Sequence, residues 1–348
     1  MNAGVPPGRT GTRAVNWSAA VVVLVLALAL PALLPAFELS QAGSAVYLAL
    51  AVLSMNLLTG LNGQLSLGHG AFVGIGAYTV TILVSDHGWS YPTAFVAGAL
   101  LASAAGVVVA LPALRLRGLY VALTTFGIGL VFPTLIQRFS SWTGGTGGKP
   151  VTAVYVPPSW LGLDIAQYAY VLSVLVLAVC LLVVHRVKGS RAGRLMQAIR
   201  DNDLVAEGFG VVVPRVKVAT FALSAALAGL AGGLFALQHR FVSPGDFGLT
   251  MSIQLFVGMA IGGSVSVAGA VLGGMFLEYV PEVTERVGVP ALYTPVIYGL
   301  VLALIVIFAP QGVVGLWHRL FRRRAAEVPA EPRPRTPELA VSTEKGAE

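Results

Sequence analysis

The sequence predicts an all-α, polytopic membrane protein with about ten transmembrane helices, and three observations carry this prediction. Hydrophobic residues make up 56% of the 348 positions and charged residues only 11%, with a mean hydropathy of +0.81. The apolar runs are continuous, whereas the strands of a membrane barrel alternate apolar and polar side chains. Lys and Arg fall in the gaps between the runs. A soluble domain of this length could not bury so much apolar surface.

Apolar runs of about 20 residues mark the predicted spans. The stretch 251–280 is long enough for two traverses, and we divide it at residues 262–264, where two glycines adjoin a serine. The count is ten, and it falls to nine or eight if the short pieces are re-entrant. The predicted spans lie near 17–36, 45–61, 65–84, 92–114, 118–136, 166–185 and 218–238, then as two traverses within 251–280, and near 290–309.

The positive charges predict the orientation and the domain organisation. With ten spans, all but four of the 22 Lys and Arg residues fall on one side of the membrane. Cytoplasmic loops carry an excess of Lys and Arg, so this side is predicted to be the cytoplasmic one. Both termini are therefore predicted to be cytoplasmic, and the net charge of +7 reflects membrane orientation rather than nucleic-acid binding. We divide the chain into a cytoplasmic N-terminus (1–16), a transmembrane domain (17–315) with a long cytoplasmic loop (186–217), and a basic, disordered tail (316–348).

Glycines interrupt two of the predicted traverses, at residues 60–64 and 262–264. The stretches that follow, residues 63–74 and 263–273, are similar after deletion of one residue. Paired interrupted segments in the two halves of a transporter point to a transport pathway at their interface. Chance similarity is the alternative, because Gly, Ala, Ser and Val are abundant throughout the chain.

The predicted membrane interior lacks fixed ionic groups. No Lys or Arg lies in the middle of a span, and Glu278 is the most deeply placed carboxylate. Proton-coupled carriers keep an ionisable group there, so its absence argues against proton coupling, although backbone carbonyls could still bind sodium. The protein is then either a passive pore or a transporter that receives energy from outside the membrane.

Neutral polar groups within the predicted spans are the candidates that would line a pathway, and they suit a small polar or zwitterionic solute. Each could instead make an ordinary hydrogen bond between helices. The candidates are Asn62, Gln64, Ser66, His69, Gly70, Thr124 and Ser266.

No cofactor or metal site is predicted in this chain. The single cysteine, Cys180, excludes a disulfide framework and a cysteine-based metal site. Residues 143–150 resemble a phosphate-binding loop but fail its pattern, because Thr143 replaces the first glycine and Pro150 the magnesium-binding hydroxyl.

The loop 186–217 predicts two short helices. Leu195, Met196 and Ile199 give the first an apolar stripe, Asp201 and Asp203 are candidate caps of the second, and Gly210 is its candidate end. Such a loop either docks a protein partner or lies on the membrane surface.

Taken together, these segments resemble the permease subunits of branched-chain amino acid ABC transporters, of the LivM type. The matching stretches are residues 57–72, 116–125, 143–148, 193–210 and 241–244. The resemblance implies a bacterial inner-membrane importer with a second homologous permease, two cytoplasmic subunits that bind ATP and magnesium, and an extracytoplasmic binding protein. It also implies that the loop 186–217 couples to the ATPases, with Gly193, Ala198, Asp201, Glu207 and Gly210 at matching positions.

The expected function is import of a small amino acid, with branched-chain amino acids first, and the chain itself is not expected to be an enzyme. Permeases for urea, amides and other small solutes share the architecture. A stand-alone passive channel is the rival from a different class. A membrane enzyme is disfavoured because the five histidines are scattered over unrelated segments.

Overall fold

Helices form nearly all the regular structure in the described part of the chain. The structure is a computed structural model that describes residues 22–114, 119–152, 162–288 and 290–308, together with Gly312 and Gly315. The predicted N-terminus 1–16 and tail 316–348 lie outside these residues. The helices are α1 (Val22–Ala32), α2 (Ala36–Leu61), α3 (His69–His87), α4 (Tyr91–Ala113), α5 (Leu119–Arg138), α6 (Ser140–Thr143), α7 (Ile165–Gly189), α8 (Arg191–Asp201), α9 (Asp203–Gly208), α10 (Val213–His239), α11 (Leu249–Gly262), α12 (Val267–Arg286) and α13 (Thr294–Phe308).

The predicted all-α, polytopic class is confirmed. Five of the described helices, α2, α4, α5, α7 and α10, are long and apolar enough to cross a membrane. Residues 22–32, 249–262 and 295–305 form shorter apolar helices. The predicted division of 251–280 is also confirmed, because α11 ends at Gly262 and α12 begins at Val267. The count of ten traverses stays a prediction.

Several predicted boundaries were wrong by four residues or more, and two of them lie on either side of the first predicted interruption. Helix α2 begins at Ala36 rather than near residue 45, because Pro35 sets the start of the helix and the polar side chains after it do not interrupt it. Gln41 instead bonds to Glu282 on α12. Helix α3 begins at His69 rather than near residue 65, so residues 63–68 are a non-helical segment.

Helix α2 is the central element of the bundle. In the most apolar 18 residues of α2, 94% of the positions are buried within the chain, against 28% for the corresponding stretch of α5. Helix α2 therefore packs against protein on all sides. Its described neighbours are α7, α10, α11 and α12. A peripheral helix such as α5 leaves its apolar side chains to lipid or to another subunit.

Glycines bring helices α3, α4 and α10 into backbone contact. A Cβ atom added to Gly232 would lie 1.8 Å from the carbonyl oxygen of Val73, and one added to Gly76 would lie 2.0 Å from that of Gly229. Close approach of this kind is how helices associate in lipid, where packing rather than water exclusion is the driving force.

The segments that connect the helices gather at two opposite ends of the bundle. At the end that we call the loop end, residues 62–65, 113–114 and 199–203 line a common cavity. At the end that we call the strand end, β1 (Lys149–Pro150) pairs antiparallel with β2 (Phe241–Val242), and Lys149 forms a salt bridge with Asp86. Consecutive connections alternate between the ends, which agrees with the alternation of charged gaps in the sequence.

The backbone contact at Gly232 predicts a stability loss on substitution. We expect Gly232→Ala to destabilise the protein by about 1–3 kcal/mol, because the Val73 backbone must move to admit a methyl group. Gly127→Ala is the matched control, since an added Cβ there meets no atom within 4 Å. Thermal unfolding midpoints in detergent measure both, and equal midpoints would contradict the described packing.

Candidate functional site

The two predicted interruptions meet at the loop end. We call residues 60–68, from the end of α2 to the start of α3, the first break, and residues 263–266, between α11 and α12, the second break. A Cβ atom added to Gly60, in the last turn of α2, would lie 1.6 Å from the carbonyl oxygen of Ser264. The side-chain amide of Asn56 donates to the carbonyl of Ser266 over 3.0 Å. Segments more than 200 positions apart in sequence are therefore in direct contact.

Left-handed glycines end the helices at both breaks. Gly63 has φ of +73° and Gly263 has φ of +99°, a region that other residues rarely adopt. The last turn of α2, Asn56–Leu61, is a π-helix, a form that is frequent at functional sites. At the second break, the Ser266 hydroxyl accepts from the Gly269 amide over 3.0 Å and starts α12.

The resemblance between the two breaks extends to their conformation. In each break a left-handed glycine is followed three positions later by a serine, and a helix begins shortly afterwards. The first break has two more residues between its serine and its helix than the second. These features favour an internal repeat over chance similarity.

His69 lies in a buried hydrogen-bond network rather than in an open cavity. Its side chain is fully buried, and its Nε2 lies 2.7 Å from the Ser54 hydroxyl. That hydroxyl also donates to the Ala51 carbonyl over 2.6 Å. The Ser224 hydroxyl in turn donates to the Ser54 carbonyl over 2.7 Å. The network therefore ties α2, α3 and α10 together.

Buried polar atoms without a protein partner cluster around the first break. Both side-chain atoms of the Asn62 amide, the Ser66 hydroxyl, Oδ1 of Asn56 and Nδ1 of His69 have no hydrogen bond within the described residues. Buried polar groups are nearly always paired with protein or with ordered water. Five such atoms lie on four residues between positions 56 and 69, which makes this stretch a candidate site for water or a polar solute.

A cavity of about 300 Å³ opens beside this cluster at the loop end. Its lining comes from the first break, from the C-terminal end of α4, from α5 and from the loop 186–217. Gln64 Nε2 donates to the Lys217 carbonyl over 3.3 Å, and Lys217 forms a salt bridge with Asp203. The lining residues are Asn62, Gly63, Gln64, Leu65, Ala113, Leu114, Val121, Ile199, Arg200, Asp201, Asn202, Asp203 and Lys217.

The remaining predicted pathway residues contribute backbone contacts or local bonds. The Gly70 amide donates to the Ser252 hydroxyl of α11 over 2.9 Å. The Thr124 hydroxyl donates to the Tyr120 carbonyl within α5. The neighbouring Thr125 accepts from the Leu67 amide over 3.0 Å, so Thr125 is the α5 residue that holds the first break.

The loop 186–217 contains the two predicted helices, α8 and α9, but their details differ from expectation. Asn202 caps α9 by accepting from two backbone amides, so the predicted caps Asp201 and Asp203 were wrong. An asparagine in extended conformation places its side-chain oxygen under the first helical turn. Met196 and Ile199 of the apolar stripe are buried, because the stripe packs against this chain itself.

The predicted coupling residues divide into one buried residue and four exposed ones. Gly193 is buried, and a Cβ added there would lie 2.4 Å from the carbonyl oxygens of Val187 and Lys188. The other four are exposed to solvent: Ala198, Asp201, Glu207 and Gly210. Asp201 also lines the cavity.

Two cations that the sequence analysis did not single out bond to the breaks. Arg200 Nη1 donates to the Gly60 carbonyl over 2.6 Å, and Lys188 Nζ donates to the Val265 carbonyl over 2.5 Å. Their position in a positively charged loop was visible in the sequence. Their partners are backbone carbonyls far away in the chain, which no sequence pattern marks.

Comparison with known proteins agrees with this arrangement. The family profile described as "Branched-chain amino acid transport system / permease component" matches residues 39–308. The high-affinity branched-chain amino acid transport permease LivM of Escherichia coli K12 is 29% identical over 319 residues, covering 84% of this chain and 74% of the relative. LivH of the same strain is 24% identical over 285 residues (77% and 91%). The autoinducer 2 import permease LsrC of Salmonella typhimurium LT2 is 27% identical over 289 residues (79% and 78%).

No solved structure matches the chain. The family profile, however, covers most of the sequence and includes both breaks, the cavity and the loop 186–217. The chain therefore belongs to the family of permease components of branched-chain amino acid transport systems, and it is an integral protein of the bacterial inner membrane.

Proposed function

We propose that this chain is a permease subunit that imports a small amino acid, driven by ATP hydrolysed on separate subunits. The observation that carries the proposal is the contact between the two breaks and the loop 186–217, which places the pathway candidates directly beside the segment expected to bind the ATPases. Relatives named for branched-chain amino acid transport favour an amino acid. The LsrC relative, named for autoinducer 2, makes the solute the least constrained part of the proposal.

The chemistry of the breaks disfavours sodium coupling. In ion-coupled carriers, unwound backbone carbonyls and helix C-terminal ends bind the cation. Here the protein's own cations bond to such carbonyls, since Arg200 holds that of Gly60 and Lys188 that of Val265. A sodium ion at these carbonyls would meet a positive charge at hydrogen-bond distance. This supports an energy source outside the membrane.

The unpaired groups near the first break suit a neutral or zwitterionic solute. The Asn62 amide offers a donor and an acceptor, and the Ser66 hydroxyl offers both. A zwitterionic amino acid carries an ammonium group that needs acceptors and a carboxylate that needs donors. Among the described residues, four charged side chains line the cavity, and all four belong to the loop 186–217: Arg200, Asp201, Asp203 and Lys217.

An exposed apolar surface on the loop suits the ATPase partner. We define the α9 surface as Leu204, Val205, Phe209 and Val212, which are 61%, 53%, 86% and 51% exposed. Four large apolar side chains in a stretch of nine residues are unusual on a surface in water, and they mark an interaction site. The exposed carboxylates of Asp201 and Glu207 would form its polar rim.

Transport in proteoliposomes tests the proposal. The chain is reconstituted with a second permease, two ATPase subunits and the binding protein, and uptake of radiolabelled leucine is measured with ATP, without ATP and with a non-hydrolysable analogue. We expect leucine uptake only with hydrolysable ATP. Uptake without hydrolysis would support a passive channel, and uptake of urea or an amide in place of leucine would replace the proposed solute.

A substitution on the α9 surface tests partner docking. We expect Phe209→Ala to lower the amount of ATPase subunit that co-purifies with the permease by about tenfold or more, because a central aromatic anchor commonly contributes over 2 kcal/mol. Phe139→Ala is the matched control, because Phe139 is also exposed but follows α5 at the strand end. Unchanged co-purification with Phe209→Ala would exclude the α9 surface.

A pair of asparagines tests the pathway. We expect Asn62→Leu to lower leucine uptake while raising the thermal midpoint slightly, since it removes a buried amide whose missing hydrogen bonds cost about 1–3 kcal/mol. We expect Asn56→Leu to lower the midpoint, because it removes the bond to Ser266. A lower midpoint for Asn62→Leu, with uptake lost in proportion, would assign Asn62 to packing.

A further inference from the structure

Two cations that adjoin the two ends of α8 bond to the two breaks. Arg200 lies in the last turn of α8 and bonds to the Gly60 carbonyl in the first break. Lys188 lies in the last turn of α7, just before α8, and bonds to the Val265 carbonyl in the second break. We infer that Lys188 and Arg200 are positioning residues that transmit a movement of α8 to the two breaks together. The inference rests on the proposed function, because it assigns the route by which ATP hydrolysis would act.

Each cation binds a carbonyl that its own segment leaves unpaired. In the last turn of α2, the carbonyls of Leu58 and Thr59 accept from the amides of Gln64 and Gly63, which leaves that of Gly60. A helix C-terminus carries partial negative charge, so a cation is favourable there. Hydrogen bonds from charged donors are about twice as strong as those between neutral groups. The two bonds are therefore suited to holding the cations and the carbonyls together when α8 moves.

The start of α8 and the end of α7 are built as one unit. The Ser190 hydroxyl caps α8 by accepting from the Gly193 amide. Gly193 also lies so close to Lys188 that a Cβ there would come within 2.4 Å of the Lys188 carbonyl oxygen. Lys188 therefore follows any displacement of the N-terminal end of α8.

The other end of α8 fits closely against the first break. A Cβ atom added to Gly63 would lie 3.1 Å from Cγ and 3.3 Å from Cα of Arg200. Ile199, the neighbour of Arg200, is buried, so this end of α8 is anchored by packing as well as by the bond to Gly60. Over its 11 residues, α8 is about 16 Å long.

The contacts close into a ring. The two breaks touch each other through Gly60 and Ser264, and Asn56 bonds the last turn of α2 to Ser266. The ring therefore runs from α8 through Arg200 to the first break, then to the second break, and back through Lys188. A displacement of α8 therefore changes the position of the two breaks relative to each other instead of moving one alone. The unpaired polar atoms lie beside the contact between the breaks.

The experiment separates coupling from structural stability. Full complexes carrying Arg200→Gln or Lys188→Met are reconstituted, and leucine import and ATP hydrolysis are measured together. We expect each variant to lower the amount of leucine imported per ATP hydrolysed by about tenfold, as expected for loss of a charge-assisted bond. The matched control is Arg191→Gln, an exposed cation on the same helix, with a ratio within about twofold of wild type.

The conservative variant Arg200→Lys provides a second readout. It keeps the charge but not the reach of the guanidinium, so we expect an import-to-hydrolysis ratio between those of wild type and Arg200→Gln. If Arg200→Gln does not assemble, Arg200→Lys decides the question, and a wild-type ratio there overturns the inference.

Two other outcomes overturn the inference. One is a wild-type ratio in both Arg200→Gln and Lys188→Met. The other is a parallel loss of import, hydrolysis and thermal stability, which would make the two cations simple helix caps. Failure of the wild-type complex to import leucine with ATP would instead contradict the proposed function, and it is visible before any variant is compared.

Discussion

The structure depends on pairing the backbone groups that two interrupted helices leave unbonded. In a continuous transmembrane helix, every amide and carbonyl is satisfied internally, and irregular backbone is tolerated only where protein or water supplies partners. Here the partners come from distant parts of the chain. Asn56 bonds to Ser266, Thr125 to the Leu67 amide, and two cations to the remaining carbonyls. Each break is therefore held by side chains that belong to other elements of the fold.

Where the two breaks meet, tightly packed backbone lies beside polar side chains that lack hydrogen-bond partners within the described residues. Gly60 contacts the Ser264 backbone so closely that no side chain fits, while Asn62 and Ser66 lack hydrogen-bond partners within the described residues. The first feature keeps the breaks together, and the second costs free energy unless water or solute is bound. A site that is tightly packed yet incompletely bonded is typical of a segment selected for function rather than for stability alone.

Under the proposed function, the same arrangement would account for one architecture that serves several solutes. The described pathway candidates are amides, hydroxyls and backbone groups, which place few demands on the identity of a small polar molecule. Relatives named for branched-chain amino acids and for autoinducer 2 share the fold family with this chain. Within the family, selectivity can then reside in small changes around the breaks or in the protein that delivers the solute, while the helices and the loop stay unchanged.

The sequence by itself determined the fold class, the two interruptions and the two short helices of the loop 186–217. These features follow from hydropathy, from glycine at positions that need positive φ and from local periodicity, all of which act over a few residues. The sequence placed the start of α2 near residue 45, yet the helix already begins at Ala36, and packing against α12 accommodates Gln41 within it.

Only the tertiary structure decided which groups share the site. His69 stood out as a pathway candidate, but it is bonded to Ser54 in the core. Lys188 and Arg200 looked like ordinary loop cations, but they bond to carbonyls of both breaks. The reason is physical: a backbone carbonyl has no residue-specific signature in the sequence. Its partner is set by three-dimensional proximity, which depends on how all the helices pack.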